Sequence, residues 1–407
     1  MSLWSVLFRF SGCTAVLALL GACSVQPSRV DCPACVTCAR CAGTAEPAQR
    51  IPPLQEATWA DLPGWSEDDL QQAWPAFLRS CRAFRARKDG KDWLPACDAA
   101  TKLEAAPTTD EARRFFETHF RPWSLVQPDG TREGLITGYY EPVLRGSRTR
   151  TAKAVYPVLG VPDDLLVIDL SEVYPELKSM RLRGRIQGRR VVPYETRAGI
   201  RPREQRAREV DDSGVLAWVE DPVELFFMQI QGSGRIALDE GGTLRLGYAD
   251  QNGHPYRSVG RVLIERGELK LEEASMQGIQ AWARSNPEKL DGFLDANPSY
   301  VFFRNLPDSP EGPPGALGQA LVAERTVAID PRYTPLGAPV FLATTYPLAD
   351  RPLNRLVLAQ DTGGAIKGVV RADFYWGTGP EAGQQAGRMK QPGRLWVFLP
   401  VGVSPPP

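Results

Sequence analysis

The sequence of 407 residues contains only two histidines, no excess of either charge, and no long apolar stretch. Lysine plus arginine and aspartate plus glutamate both number 48, so no basic tract indicates a nucleic-acid partner. The two histidines are too few for a His-rich metal site. His119 lies in a helical segment among aromatic residues, and His254 lies in a turn-rich loop. Neither position alone indicates catalysis.

Several catalytic motifs are also missing. No G-x4-G-K-[ST] phosphate loop occurs, and Gly232-Ser233-Gly234 is not the G-x-S-x-G elbow of serine hydrolases. Nothing in the sequence implies a cofactor. The hydrophobic fraction of 43% is ordinary for a soluble globular protein, and the length leaves room for two domains.

The first residues have the features of a lipoprotein signal peptide. The apolar run 14–20 is too short to span a bilayer as a permanent helix. It leads into Leu20-Gly21-Ala22-Cys23, which resembles a bacterial lipobox. We expect residues 1–22 to be removed, Cys23 to carry the lipid, and Ser24 to direct the protein to the outer membrane, facing the periplasm. An uncleaved signal or a misassigned start is the alternative.

Residues 23–58 are rich in Ala, Pro and Cys, which is typical of a tether. Cysteines 32, 35, 38 and 41 form a C-x2-C-x2-C-x2-C run. An oxidising compartment favours disulfides over metal thiolates, so we expect no metal here, although a metal site stays the alternative. Cys81 and Cys97 flank a helical segment and are candidates for a disulfide.

Hydrophobic periodicity predicts a mainly β protein with some helix. Helical spacing begins near Trp59 and recurs at 110–119 and 258–297. Many short strands follow Pro122, which favours a barrel or a sandwich. The predicted strands are 134–140, 155–159, 215–219, 223–231, 236–238, 300–303, 327–329, 340–342, 355–359, 369–375 and 395–398.

Two aspartates near the end of the chain are the candidate catalytic pair. Asp361 ends a predicted strand and Asp373 lies in the next one, so a hairpin-like return brings their carboxylates together on neighbouring strands. Close carboxylates and aromatic surroundings raise a pKa, and cleavage of a glycosidic bond requires a protonated acid. We therefore expect Asp373 to be protonated and Asp361, beside the amides of a Gly turn, to stay ionised. The alternative is that both are merely structural.

An ordered set of motifs resembles one family. The segment from Asp361 to Gly377 is similar to the three-aspartate module of peptidoglycan-active double-psi barrels. Together with that segment, the remaining motifs resemble membrane-bound lytic transglycosylase A over about residues 59–400: TGYYEP at 137–142, FMQIQGSG at 227–234, GYA at 247–249, NG at 252–253, PSYVFF at 298–303 and GRMK at 387–390.

The resemblance implies a double-psi β-barrel built from both chain ends, 59–145 plus 304–402. It implies a smaller β domain inserted at 146–303, with a glycan groove between the two. Asp373 matches the catalytic acid, Asp361 its orienting partner, and Asp330 the third aspartate of the module.

The implied activity is exolytic cleavage of the β-1,4 bond between N-acetylmuramic acid and N-acetylglucosamine in peptidoglycan. The sugar's own 6-hydroxyl replaces water and leaves a 1,6-anhydro end, so neither a metal nor a cofactor is needed. We expect the substrate-binding residues to be Tyr139, Tyr140, Glu141, Gln229, Gln231, Ser233, Tyr248 and Asp330.

Three other functions stay open at this point. A hydrolytic glycosidase would use Asp361 or Asp330 to activate water. A non-catalytic peptidoglycan-binding lipoprotein would need no acid. An aspartic protease would pair Asp361-Thr362-Gly363 with Asp212-Ser213-Gly214, but the charged lead-in to Asp212 is unlike that family.

Overall fold

The computed structural model describes residues 51–103, 106–207 and 214–405. Cys23, the cysteine run at 32–41 and Asp212 therefore lie outside the described residues. Across the described part of the chain, we find no helix with the length and apolarity needed to cross a membrane.

The helices are short and the strands are numerous. The helices are α1 (Trp74–Ala86), α2 (Leu94–Ala100), α3 (Thr109–His119), α4 (Arg197–Ala207), α5 (Pro222–Gln231), α6 (Val259–Glu265), α7 (Met276–Ser285), α8 (Leu290–Leu294) and α9 (Pro380–Arg388). Single 3₁₀ turns are Trp59–Asp61, Leu70–Ala73, Lys88–Trp93, Pro175–Ser179, Leu271–Glu273 and Pro287–Lys289.

The strands are distributed along the chain between these helices. They are β1 (Leu54–Glu56), β2 (Phe120–Leu125), β3 (Gly134–Glu141), β4 (Val143–Ser147), β5 (Tyr156–Leu159), β6 (Leu166–Val167), β7 (Arg183–Gln187), β8 (Arg190–Pro193), β9 (Val215–Val219), β10 (Ser233–Leu238), β11 (Thr243–Gln251), β12 (Val301–Leu306), β13 (Thr326–Ile329), β14 (Pro339–Thr345), β15 (Pro352–Asp361), β16 (Arg371–Thr378) and β17 (Lys390–Pro400). Apart from 223–231, each predicted strand is confirmed within a few residues, and the predicted mainly β fold with some helix is confirmed.

One sheet closes on itself as a barrel. Its order is β1-β2-β17-β14-β15-β13-β16-β3, and β17 also pairs with β3. The strands β17, β14, β15, β13, β16 and β3 therefore form a closed ring, which leaves none of them with an unpaired edge. The pairs β13–β15 and β16–β3 are parallel, as crossovers require. This barrel combines one strand from the first part of the chain with five from the last part.

A second sheet is formed mostly by the middle of the chain. It has the order β12-β11-β10-β4-β9-β5, and a small three-stranded sheet, β6-β7-β8, lies beside it in sequence. Strand β4 begins at Val143, slightly before the predicted insert, and β1 lies within the predicted tether. Leu54 of β1 is buried, because β1 pairs with β2 of the barrel sheet.

The prediction of a strand at 223–231 is wrong, because this segment is helix α5. Its apolar and aromatic residues fit a buried strand as well as a helix. The ends decide the outcome: the Asp221 side chain accepts hydrogen bonds from the amides of Val223 and Glu224, and Pro222 occupies the first turn. Gly232 ends the helix at φ 79°, a left-handed conformation that costs glycine little.

Three helices cover one end of the barrel. Trp74 and Phe77 of α1 pack against Phe115 and Phe116 of α3, with ring centroids 4.9–6.1 Å apart. The candidate disulfide between α1 and α2 is present, with the Cα atoms of Cys81 and Cys97 5.4 Å apart. This cap is aromatic and covalently tied, so it gives the barrel a rigid base.

Helix α1 is also fixed to the strand that carries Asp361. The amide of the fully buried Gln360 donates to the Ala76 carbonyl at 2.7 Å and lies 3.0 Å from the Ser80 hydroxyl. The Thr326 hydroxyl of β13 donates to the Gln360 carbonyl oxygen at 3.2 Å. Since buried polar groups require partners, these bonds specify where the end of β15 lies.

Candidate active site

The two candidate aspartates lie in one row across the barrel wall. Ala328 of β13 is the register partner of Asp361 on β15 and also of Asp373 on β16. Asp373 is in turn the register partner of Thr137 on β3. A register shift at Val327 and Ala328 accompanies the β13–β15 pairing, and such bulges re-aim side chains. The row therefore presents both carboxylates on one stretch of the wall.

The expected arrangement on neighbouring strands is wrong. Strand β13 lies between β15 and β16, so the residues between Asp361 and Asp373 are a crossing connection and not a hairpin. The two carboxylates are still close enough for the charge of Asp361 to raise the pKa of Asp373. Ala328, with only a methyl group between them, leaves that approach open.

Asp373 is held in surroundings that favour its protonated form. Burial raises the pKa of this carboxyl, and the charge of Asp361 raises it further. The Thr137 hydroxyl donates to Asp373 at 2.5 Å, and the Arg371 charge acts in the same direction as this bond, toward the ionised form. Burial is the largest contribution, so the net pKa is raised. A proton donor on the wall of a cleft has this character.

Asp361 is held by three donors. The amides of Ala316 and Thr362 each donate to one carboxylate oxygen at 2.9 Å, and the Tyr139 hydroxyl donates to the other at 3.0 Å. Burial raises the pKa of Tyr139 well above its usual value, so its hydroxyl keeps its proton and remains a donor. These bonds orient Asp361 firmly.

The prediction that Asp361 stays ionised beside the amides of a glycine turn stays a prediction, but the structure gives this carboxylate different donors. Its backbone donors are Ala316 and Thr362 and not Gly363 or Gly364. Burial also raises the pKa of Asp361, and this outweighs its hydrogen bonds and the charge of Arg181. The contrast between the two aspartates is therefore one of hydrogen bonding: three donors hold Asp361 and one holds Asp373.

Both carboxylates line a cleft of about 570 Å³ between the barrel and the second sheet. The cleft is also lined by the end of α5, by β10 to β12 and by the segment before β7. The loop 313–318 contributes a third side. Of the residues predicted from the sequence, the cleft is lined by Tyr139, Gln229, Gln231, Ser233, Tyr248, Asp361 and Asp373.

The end of α5 places two glutamine side chains, Gln229 and Gln231, in the lining of the cleft. Gln231 accepts a hydrogen bond from the Tyr140 amide at 3.1 Å, which ties the helix to barrel strand β3. Gln229 is 4% exposed, and its carbonyl oxygen has no hydrogen-bond partner among the described residues. A buried acceptor of this kind costs free energy unless a ligand supplies the donor.

Three of the predicted contact residues do not line the cleft. Tyr140 is buried, with its hydroxyl 3.4 Å from the sulfur of Met276. Glu141 is fully buried and is bound by Arg235 and by the Thr378 hydroxyl, each at 2.8 Å. Both are fixed in the protein interior, so we assign them structural roles.

Asp330 is the third of these residues. It is buried, forms a 2.5 Å ion pair with Arg332 and accepts a 2.9 Å bond from the Gly368 amide. Burial raises its pKa, but these partners outweigh burial and hold the pKa below its usual value. Asp330 is therefore an ionised residue that fixes the turn at Gly368, and no proton for chemistry is expected from it.

The sequence reasoning missed several residues of the cleft. Thr137 was within a recognised motif, but its hydroxyl gained a role only when β3 was placed beside β16. Arg371 donates to that hydroxyl at 2.9 Å. Arg181 and Arg304 also line the cleft, from segments far apart in sequence. Within the ranges that the structure describes, no three His, Cys, Asp or Glu side chains are grouped as metal ligands.

Comparisons with known proteins agree with this architecture. Residues 135–304 match the family model of the MltA specific insert domain, and residues 325–399 match the 3D domain. Membrane-bound lytic murein transglycosylase A from Escherichia coli strain K12 is 36% identical over 305 residues, 73% of this chain and 73% of that protein. The chain belongs to the membrane-bound lytic murein transglycosylase A family. The resemblance expected from the motifs is thereby confirmed.

Solved structures of this family have the same fold. The crystal structure of MltA from Neisseria gonorrhoeae in its monoclinic form is 41% identical with a TM-score of 0.73, covering 86% of this chain and 94% of that chain. The crystal structure of E. coli MltA with bound chitohexaose is 29% identical with a TM-score of 0.65, covering 86% and 95%. The closed six-stranded ring is consistent with the double-psi barrel expected from the motifs.

Proposed function

We propose that Asp373 is the single acid and base of a peptidoglycan lytic transglycosylase. The membership of the family gives the activity: this chain is an enzyme that cleaves peptidoglycan glycan strands lytically. The observation that supports Asp373 as its acid is the row from Asp361 through Ala328 to Asp373 on the wall of the cleft. Of the two carboxyl groups in this row, Asp373 accepts one hydrogen bond and Asp361 accepts three. Asp373 therefore has more of its hydrogen-bonding capacity left for a substrate.

In the first step, protonated Asp373 donates its proton to the glycosidic oxygen as the bond to the muramic carbon breaks. Positive charge develops at that carbon, as in other glycosidic cleavages. The 6-hydroxyl of the same sugar then attacks the carbon, and Asp373, now a carboxylate, accepts its proton. One residue thus regains its starting state, and no water enters the products.

The intramolecular nucleophile explains why no second catalytic carboxylate is needed. A hydroxyl held within the same ring system has an effective concentration that lowers the barrier by about 7 kcal/mol or more. Asp361, bound by three donors, serves as a positioning residue whose negative charge adds to the effect of burial in raising the pKa of Asp373. Asp361 does not itself have to exchange a proton with the sugar.

The cleft offers suitable contacts for a glycan strand. Sugar rings present apolar faces to aromatic rings and hydroxyl rims to amides. Tyr248 is 36% exposed, and the free carbonyl oxygen of Gln229 can accept a hydrogen bond from a sugar hydroxyl or from an N-acetyl N–H. We assign Gln229, Gln231, Ser233, Tyr139 and Tyr248 to this surface. The chitohexaose bound by E. coli MltA supports a glycan as the occupant.

We also propose the location and the division of the chain. The family name describes membrane-bound proteins, and the lipobox at Cys23 would supply an outer-membrane lipid anchor on the periplasmic side. The barrel sheet and the second sheet would be two domains, with their interface at the cleft. The exolytic mode expected from the resemblance remains a prediction.

The reaction is tested by digesting murein sacculi with the full chain in detergent, in water enriched in heavy oxygen. We expect muropeptides lighter than lysozyme products by one water molecule, with no heavy oxygen incorporated. Reducing ends that carry heavy oxygen would instead identify a hydrolase with a water-activating carboxylate. The absence of any released product would favour a non-catalytic binding module.

A further inference from the structure

Two arginines of the cleft, Arg181 and Arg304, make non-covalent contacts with Tyr248. The Arg304 Nε atom donates to the Tyr248 carbonyl oxygen at 3.4 Å, a weak bond that leaves the rest of the guanidinium free. The Arg181 guanidinium carbon lies 5.8 Å from the centre of the Tyr248 ring. Both side chains line the same cleft as the two aspartates, and both are exposed. The lining of the cleft therefore includes two exposed positive charges.

Neither arginine forms a close ion pair within the described part of the protein. Among the described residues, no carboxylate oxygen lies within 4.0 Å of Arg181 or Arg304. Other arginines nearby are bound: Arg183 pairs with Asp250 at 2.8 Å, and buried Arg197 donates to the carbonyls of Asn297 and Ser299. The difference marks Arg181 and Arg304 as exposed cations without a close carboxylate partner, although each also bonds Tyr248, Arg181 through the Tyr248 side chain and Arg304 through its carbonyl oxygen.

The chemistry of a guanidinium selects the ligand. Its planar donors match a carboxylate, whereas the glycan backbone of a peptide-bearing strand, whose muramic lactyl groups are amidated by the peptides, offers hydroxyls and amides but no charge. In peptidoglycan the anionic groups are the free carboxylates of the short peptides attached to the muramic residues. Arg181 also lies close enough to Asp361 to lower its pKa, so this charge is near the reacting end of the cleft.

We propose that Arg181 and Arg304 bind carboxylates of the peptide stems, so that the enzyme prefers glycan strands with acidic peptides over strands whose peptides are neutral. The inference rests on the proposed function, because it assigns the substrate of the same cleft. The arginines do not touch the reacting atoms; they determine which strand is held in register with Asp373. The preference weakens as salt is added, because exposed ion pairs are screened.

The test compares two forms of one substrate. Soluble peptide-bearing glycan strands are used as isolated, and after their carboxylates have been converted to neutral amides with a carbodiimide and ammonia. The full chain in detergent is assayed for kcat/KM on both forms, and the ratio of acidic over amidated is recorded. Arg181→Gln and Arg304→Gln are compared with Arg189→Gln, an exposed arginine at the β7–β8 turn outside the cleft.

We expect a ratio above one in the parent and a fall of about two- to fivefold in each cleft variant, since exposed ion pairs are individually weak. The Arg189→Gln control keeps the parent ratio, and Arg304→Lys, which retains the charge, keeps most of it. The preference should reside in KM, because binding is remote from the broken bond. Added salt should lower the parent ratio and leave unchanged the ratio of a variant that carries both Arg181→Gln and Arg304→Gln.

A parent ratio near one, or an unchanged ratio in both cleft variants, would overturn this inference while leaving the lytic activity and Asp373 in place. Failure of the proposed function has a different signature. In that case the parent would release no anhydro product from either substrate, or Asp373→Asn would cleave both at the parental rate. The first of these outcomes would refute the stem-peptide preference as well.

Discussion

The Thr137 hydroxyl donates a hydrogen bond of 2.5 Å to the carboxylate of Asp373. Arg371 donates to the oxygen of that hydroxyl at 2.9 Å, so the hydroxyl hydrogen is directed at Asp373. This bond favours the ionised carboxylate, whereas burial and the charge of Asp361 favour the protonated acid. The pKa of Asp373 is therefore set by opposing contacts, each of which can be removed separately.

Replacing Thr137 with valine removes the donor and keeps the shape of the side chain. The ionised form of Asp373 loses stabilisation, so its pKa rises and the alkaline limb of the kcat/KM profile moves to higher pH. We expect kcat to fall about tenfold, because the weaker acid donates its proton less readily and is less well oriented. Thr137→Ser keeps the hydroxyl and should retain the parental limb. An unmoved limb in the valine variant would contradict this role.

Replacing Asp361 with asparagine shifts the same limb in the opposite direction. The asparagine keeps the backbone donors but removes the negative charge that raises the pKa of Asp373. The alkaline limb should move to lower pH, and kcat should fall about ten- to a hundredfold through loss of orientation. A pH titration of kcat/KM checks both signs. A limb that moves upward would show that Asp361 is not the neighbouring charge.

Gln360→Leu tests the attachment of β15 to α1. The variant leaves the Ala76 carbonyl and the Ser80 hydroxyl without their buried donor, which should reduce the free energy of unfolding by about 1–3 kcal/mol. Asp361 follows directly, so kcat should fall more than KM changes. Ser80→Ala removes one partner only and should cost less in both urea unfolding and kcat. Equal effects of the two variants would argue against Gln360 as the anchor.

Removing the disulfide tests the rigidity of the helical cap. Cys81 and Cys97 are 16 residues apart, and closing a loop of that length contributes about 3 kcal/mol in the chain-entropy model. The Cys81→Ala, Cys97→Ala double variant should lose about that much stability in urea. Dithiothreitol should destabilise the parent by a similar amount and leave the variant unchanged. Equal sensitivity of both proteins to the reductant would show that the loss of stability does not come from the Cys81–Cys97 disulfide.

The sequence predicted the positions of most strands well, but it did not predict which strands lie side by side in the sheets. Runs such as 215–219 and 395–398 are buried and apolar, and their local pattern suffices to identify them as strands. Helix α5 has the same kind of composition, and only the cap at Asp221 and the left-handed Gly232 distinguish it. Local pattern and capping together would have identified this helix.

The site was predictable in its residues but not in its geometry. Asp361 and Asp373 were found by their motif, yet the insertion of β13 between their strands depends on a crossover that no local pattern encodes. Thr137 acquires its role from Asp373, which lies on a parallel strand 236 residues away in the sequence. Glu141 and Asp330 match the family motifs, but their ion pairs hold them in the interior.

The pKa shifts also predict how stability depends on pH. Burial raises the pKa of Asp373 in the folded protein above the ordinary value of 3.8. Its contribution to stability is fully present below that ordinary value and is lost as pH rises through the folded pKa. Asp373→Asn should therefore melt at the parental temperature or higher at neutral pH, and this advantage should vanish in acid. A lower melting temperature at neutral pH would contradict the account of burial.

The same variant provides the most direct test of the central claim. Murein sacculi are digested with the full chain and with Asp373→Asn, and the 1,6-anhydro muropeptides are quantified by mass spectrometry. Where the melting temperature shows that the variant is folded, its loss of activity is attributed to the missing proton. We predict a fall in rate of about a hundredfold to ten-thousandfold, the usual contribution of a general acid. Anhydro products formed by the variant at the parental rate would contradict the assignment of Asp373 as the acid and base.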